Sequence, residues 1–338
     1  MISVYPLGLA SIVAFSRVYV GVHYVGDVLI GALFGTTVAF LVIGLFKYAS
    51  IHYNIKPHIT LLFSFLFVVS FFRIYYILHG PMHLSPDEAH YWEWSRRIDL
   101  SYYSKGPMIA YLIYVGTTIF GDTEFGIRIM AVIFSALSSI YVFKLINNMY
   151  GSVNKQISQN LALWSAVLFQ IIPMFAPFGV IFTIDSPFLF FWIFSLYIFW
   201  KAINSENAVA EGSFVQWIFL GISIGLGLLT KYTMAFFYLC AFLFLLFSEK
   251  RYLFKRSGVY IAFIGSLFVF SPVIMWNFRN DWVTIRHTAG QAHISKGFAI
   301  SFKDLFEFLG SQIGIITPII FFMIFYALFK IGSSLRQQ

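Results

Sequence analysis

Charge is what this sequence has least of. Asp, Glu, Lys and Arg make up 11% of its 338 residues, where a water-soluble domain of that length carries about 25%. A chain so poor in charge cannot clothe a globular surface, which excludes a soluble enzyme or soluble binding module. Cysteine is nearly missing too: Cys240 stands alone in an apolar run, so an internal disulfide is excluded. There is no basic segment leading to a small-residue cleavage site at the N-terminus, and no cleavable signal peptide is expected. The net charge of +8 comes from residues scattered between apolar stretches. No basic helix or basic patch interleaved with aromatics is present, so nucleic acid is not an expected partner.

What fills the chain instead is apolar sequence. It is 59% hydrophobic, with 42 Phe and 20 Tyr, and its mean hydropathy is +0.81. Runs of about 20 apolar residues are the length a bilayer demands of a helix. They predict spans at 28–46, 59–79, 126–145, 159–179, 184–203, 214–230, 232–248, 258–276 and 306–329, after an apolar stub at 2–15. The run 107–120 is too short to cross and reads as an interfacial helix with Pro107 in its first turn. The expected fold class is an all-α polytopic membrane protein, with membrane lipids as its solvent.

Spans cross alternately, so each polar connection belongs to one side. The connections 47–58, 144–158, 201–213 and 249–257 share a side with the tail from 330. Those at 16–27, 80–125, 180–185, the turn at Lys231 and 277–305 share the other. Total basic counts barely differ, but short basic loops such as Lys250-Arg251…Lys255-Arg256 fall in the first set, which assigns it to the cytoplasm. Whichever way the chain is oriented, Asp87, Glu88, Lys105, Asp185, Lys231 and Asp281 fall on one face.

That face carries the polar chemistry. Ser85-Pro86-Asp87-Glu88-Ala89-His90-Tyr91-Trp92 places two carboxylates just past an apolar span, and Tyr102-Tyr103-Ser104-Lys105-Gly106-Pro107 follows before the next. Carboxylates kept near a bilayer mark functional sites by default. Their bland roles are definite as well. Asp87 and Glu88 would complement a helix dipole. Asp185 before Ser186-Pro187 fits a helix cap. Lys105 and Lys231 would snorkel to headgroups. Trp92, Trp94, Tyr102 and Tyr103 would anchor the interface. A transporter, another class open to an apolar chain, predicts mid-span polar residues and repeat symmetry, and neither is seen.

The N-terminus carries a second signature, Ser16-Arg17 followed by His23 and Asp27. A guanidinium fork suits a phosphoryl group. An imidazole can attack phosphorus while an Asp one helical turn on orients it. This resembles the third motif of the type-2 phosphatidic acid phosphatase superfamily, over residues 1–46. The resemblance implies His23 as nucleophile, Arg17 as phosphate ligand and Asp27 as the partner of His23. The family's upstream Lys-x6-Arg-Pro and Pro-Ser-Gly-His motifs have no counterpart here, so the expectation is a partial module. Lipid phosphate phosphatase is the alternative function.

Residues 59–338 resemble the lipid-linked-sugar glycosyltransferases of the GT-C fold, in the branch of protein O-mannosyltransferases and aminoarabinose transferases. The likeness runs through Pro86–Ser95, Tyr103–Pro107, Phe125-Gly126-Ile127-Arg128, Thr183–Pro187, the Gly225–Tyr232 stretch and Trp276–Trp282. It implies a bacterial inner-membrane enzyme whose site faces the periplasm. Such an enzyme moves a sugar from a polyprenyl-phosphate donor to a glycan, lipid or protein hydroxyl, with inversion. It further implies Asp87 as general base, with Glu88 the neighbouring candidate. Lys105, Lys231 and Arg128 are candidates for the donor phosphate, and Arg279 is a weaker one. Asp185 is a second acid or a ligand, with Asp87, for a divalent metal. No organic cofactor is expected, and the C-terminus is expected to lack later spans of the family.

Overall fold

The computed structural model describes residues 4–21, 24–152, 154–204, 211–291 and 302–335. Among the described residues every regular element is a helix and no strand occurs. Contacts divide the chain into two compact units, 1–64 and 65–338.

The first unit holds α1 (Val4–Tyr19), α2 (Val25–Ile55) and the opening of α3 (Pro57–His79). Arg17 is exposed in the last turn of α1. Asp27 sits in the first turn of α2, where its Oδ2 accepts from the Tyr24 N–H at 3.1 Å and satisfies an otherwise orphaned amide. His23 lies outside the described residues.

The second unit contains the rest of α3, α4 (Pro86–Ser95), α5 (Met108–Phe120), α6 (Glu124–Tyr150), α7 (Lys155–Ile171), α8 (Asp185–Ile203) and α9 (Glu211–Thr230). These are followed by α10 (Phe236–Phe247), α11 (Ser257–Arg279), α12 (Val283–Gln291), α13 (Phe302–Ile316) and α14 (Pro318–Leu335). Helix starts follow local chemistry. Thr123 caps α6 by accepting from the Gly126 N–H at 3.0 Å, and Asn154 caps α7 through the amides of Gln156 and Ile157. Two buried aromatic-rich clusters hold the bundle. One joins α8, α9, α10 and α11 around Phe199, Trp217 and Phe237. The other joins α4, α5, α6 and α8 around Tyr91, Ile113, Phe134 and Phe191.

Among the described residues four helices, α3, α6, α8 and α11, are long and apolar enough to cross a membrane, and two bent pairs would raise the number to six. The chain is a multi-pass membrane protein. Two expectations from the sequence change. The span expected at 159–179 ends at Ile171, because Ile172 precedes Pro173 and turns extended (φ −57°, ψ 126°). The span expected at 306–329 is two helices bent by 108°, with Thr317 at φ 78° before Pro318. The short helix at 107–120 packs one face inward, with Ile109 and Ile113 fully buried in the second cluster, and leaves Tyr114, Val115, Ile119 and Phe120 exposed.

Candidate active site

The site is built outward from α4. Ser85 and Glu88 form a reciprocal cap: the Glu88 N–H donates to Ser85 Oγ at 3.3 Å, and the Ser85 N–H donates to Glu88 Oε2 at 2.9 Å. Pro86 fills the first helical position, where no amide is needed. Asp87 follows it and is exposed. Adjacent helical side chains diverge, so the cap that turns Glu88 inward turns Asp87 outward.

Glu88 and Arg128 face each other in a dry contact, 0% and 1% exposed. Arg128 Nε donates to Glu88 Oε1 at 2.8 Å and Nη2 to Glu88 Oε2 at 2.9 Å, the bidentate geometry of a strong pair. Nη1 and Nη2 also donate to the carbonyls of Met82 and His83, both at 2.8 Å. Glu88 Oε1 takes one more bond, from the Phe182 N–H at 2.9 Å. Burial alone would raise the Glu88 carboxyl. The Arg128 hydrogen bonds, the Ser85 and Phe182 amides and the Arg128 charge outweigh it and hold the group below the ordinary carboxylate range.

Glu88, expected as a neighbouring candidate base, and Arg128, expected at the donor phosphate, instead face each other out of contact with solvent and share their remaining polar atoms with the Ser85, Phe182, Met82 and His83 backbone. Their work is architectural. One buried pair ties α4, the 80–85 loop, α6 and the chain entering α8.

That tie fixes the chain that leads into Asp185. Asp185 opens α8, three residues after Phe182. Tyr91, one turn beyond Asp87 and 3% exposed, registers both. Its hydroxyl is pushed up to about 12 by burial first and then by the charges of Asp87 and Asp185. It therefore keeps its proton at working pH. Asp185 Oδ1 lies 2.7 Å from Lys231 Nζ, with both side chains about a third exposed (30% and 33%). The same ammonium sits 5.6 Å from the ring of Phe188.

Lys105 reaches the same neighbourhood through the backbone. Gly106 lies on the end of α9 so closely that a Cβ would come 2.0 Å from the Leu229 carbonyl oxygen. The loop bearing Lys105 is thereby pressed against the turn bearing Lys231. Gly106→Ala should lift that loop and destabilise the protein by about 1–3 kcal/mol, the usual cost of overpacking; thermal unfolding in detergent measures it.

The rest of the outer loop is fixed by aromatic and polar contacts. Trp94 and Tyr102 stack at 4.4 Å, and the Tyr102 hydroxyl lies within 3.0 Å of the carbonyls of Trp94 and Arg97. Trp276 Nε1 donates to Asp99 Oδ2 at 2.8 Å, and Thr284 Oγ1 donates to the Tyr102 carbonyl at 3.2 Å. Tyr102 is thus packed inside the loop and is no interfacial anchor. Arg279 sits in the last turn of α11. An apolar cavity of about 490 Å³ opens between α6, α7, α8 and the stretch Thr233–Phe236 that follows Lys231, lined by Val142, Phe169, Phe175, Phe188, Trp192 and Phe236.

Of the two acids expected as metal ligands, Asp185 gives its Oδ1 to the Lys231 ammonium at 2.7 Å, and among the described residues no group of three or more His, Cys, Asp or Glu comes together. Sequence reasoning missed Tyr91 and the placing role of Gly106. Only the three-dimensional approach of 106 to 229 reveals the second.

Comparisons with known proteins agree with this architecture. Residues 104–276 match the family described as dolichyl-phosphate-mannose-protein mannosyltransferase. Residues 1–51 match the PAP2 superfamily. The chain is similar to the lipid A galacturonosyltransferase RgtD of Rhizobium johnstonii, 29% identical over 245 residues, covering 72% of the chain and 49% of that protein. It is also similar to the undecaprenyl phosphate-alpha-4-amino-4-deoxy-L-arabinose arabinosyl transferase of Erwinia tasmaniensis, 29% identical over 178 residues, 48% of the chain and 30% of that protein. The chain thus spans about half the length of the first relative and less of the second. The fold matches the crystal structure of ArnT from Cupriavidus metallidurans in the apo state. The TM-score is 0.58 and the identity 16%, over 70% of the chain and 44% of that protein. With the matched segment covering just over half of the chain, this protein belongs to the dolichyl-phosphate-mannose-protein mannosyltransferase family and has the GT-C-type helical membrane fold of lipid-linked-sugar glycosyltransferases.

Proposed function

We propose that the protein transfers a sugar from a polyprenyl-phosphate donor to a hydroxyl of a lipid-linked or surface glycan, with Asp87 as the general base. The observation that carries this reading is the division of labour in the acidic pair. Glu88 is buried and spent on Arg128, while Asp87 is left exposed and bears, like the Lys231-paired Asp185, on the buried Tyr91 hydroxyl.

In the reaction, the acceptor O–H gives its proton to the Asp87 carboxylate as its oxygen attacks the anomeric carbon. The bond from that carbon to the phosphate oxygen breaks, the configuration inverts, and polyprenyl phosphate leaves with the electron pair. The departing phosphate gains negative charge, which a preorganised cation stabilises most where water is scarce. Lys231 and Lys105 are assigned that role. Asp185 orients the Lys231 ammonium until phosphate competes for it. The apolar cavity beside the Thr233–Phe236 stretch accommodates the prenyl chain of a donor whose phosphate sits at the two lysines.

The family's donors argue for a site on the outer membrane face, and the short basic connections on the opposite side support that orientation. The relative from Rhizobium acts by its name on lipid A, which favours a glycolipid acceptor here over a protein.

The test is transfer from radiolabelled polyprenyl-phosphate sugars, uronic and amino sugars among them, to lipid acceptors in proteoliposomes. Labelled glycolipid supports the reading, and no product from any donor overturns it. In the same assay Asp185→Asn should raise the donor KM about tenfold, corresponding to the roughly 1.4 kcal/mol expected of one charge-assisted contact, with little change in kcat. An unchanged KM would separate Asp185 from phosphate binding.

A further inference from the structure

One arginine sits where the bundle offers it no acid. Arg73 belongs to the otherwise apolar end of α3 and is only 6% exposed. Nη1 donates to Ser135 Oγ at 2.9 Å and to Gln170 Oε1 at 2.5 Å. Nη2 donates to the Ala176 carbonyl at 3.4 Å. Gln170 is itself fixed, donating from Nε2 to the Ser135 carbonyl at 2.8 Å and Ser139 Oγ at 2.7 Å. No described carboxylate pairs with the guanidinium. A buried cation without a counter-ion costs stability that a Leu would not, so its presence asks for a task.

The task is legible in what it grips. The chain from 172 to 184 is mostly non-helical, since Pro173 and Pro177 interrupt it and only a short 3-10 turn spans Pro177–Gly179. Arg73 holds the front half through the Ala176 carbonyl. Gly179 lies against the guanidinium so closely that a Cβ would come 2.3 Å from Cζ. Glu88 holds the far end through the Phe182 N–H. Ser186 Oγ folds the segment back by donating to the Phe178 carbonyl at 2.6 Å. An irregular strand pinned at both ends by arginines, one directly and one through Glu88, delivers a single functional side chain, Asp185.

We propose that Arg73 is a positioning residue that acts through the 172–184 segment to set the Asp185 carboxylate against Lys231. Its kinetic consequence rests on the phosphate-binding reading of the Asp185–Lys231 pair, whereas its structural consequence does not. A neutral side chain at 73 would leave the segment held at one end only, and Asp185 would meet Lys231 less often.

Two readouts on the full chain in detergent test this. The first is amide hydrogen exchange, which reports local opening. Arg73→Gln should raise exchange in 172–184 about tenfold and leave α5 and α9 unchanged. Arg73→Lys, which keeps the charge but not the fork, should give an intermediate effect. The second is donor kinetics: Arg73→Gln should raise the donor KM about tenfold, matching Asp185→Asn, with kcat changed less than about threefold. Unchanged exchange in 172–184 overturns the proposal, and so does uniform deprotection of all segments in both variants. A KM raised by Asp185→Asn but not by Arg73→Gln overturns it as well. Selective opening of 172–184 with donor KM unmoved in both variants sustains the placement role and removes the phosphate reading instead.

Discussion

Asp87→Asn is expected to lower kcat by about 10²- to 10⁴-fold, the range that a positioned general base contributes, with the donor KM within about threefold of the parent. The substitution keeps shape and hydrogen-bonding reach while removing the only function assigned to the side chain, acceptance of a proton. Asp87 is exposed and outside the Glu88–Arg128 contact, so Asn should leave thermal stability unchanged. That makes the kinetic result readable: a large fall in kcat with an unshifted unfolding temperature places the base at 87. The decisive contrast is with Asp185→Asn, which is expected to act on KM. Were the two substitutions to give the same kinetic signature, the separation of proton acceptance from phosphate orientation would fail.

How far this could be read from the sequence differs between fold and site. The helical membrane architecture follows from apolar run length, and α3, α6, α8 and α11 emerge close to their expected limits. Errors came where length misled. Pro173 cut one run short, and Thr317-Pro318 bent another, because run length ignores backbone stops. At the site, alternation of spans put Asp185 and Lys231 on the same side, and the structure pairs them at 2.7 Å. Which carboxylate faced which partner was not visible. Asp87 and Glu88 look equivalent in sequence, and only the 40-residue separation between Glu88 and Arg128, closed by folding, tells them apart. Arg128 read as a phosphate ligand for the same reason, since a guanidinium at the start of a span suits either role. Arg73 did carry a signal, a lone cation within an apolar run, but its partners Gln170 and Ala176 lie about a hundred residues on.

The largest stability effect is expected at the buried pair. Removing one partner, as in Arg128→Leu or Glu88→Leu, should cost about 3–5 kcal/mol, because the survivor is left charged in a dry site. Glu88 faces the sharper loss: three elements use its two oxygens, so Glu88→Leu releases the Phe182 amide and the Ser85 amide along with Arg128. Glu88→Gln keeps the shape and one acceptor, and should fall between parent and Leu. The double variant Glu88→Leu with Arg128→Leu should recover part of the loss, since two apolar side chains leave no orphaned charge; a coupling energy near zero in that cycle would deny the pair its role. The pH dependence has a fixed sign. The folded carboxyl of Glu88 titrates below its unfolded value, so its contribution is fully present above the unfolded pKa of about 4.3 and is lost as pH falls through the folded value. Unfolding temperature in detergent should therefore drop on acidification below about pH 4, and the drop should be smaller in Glu88→Gln, which has no proton to take up. Because the same pair carries the chain that ends in Asp185, the acid-induced loss should be accompanied by weaker donor binding before the bundle as a whole unfolds.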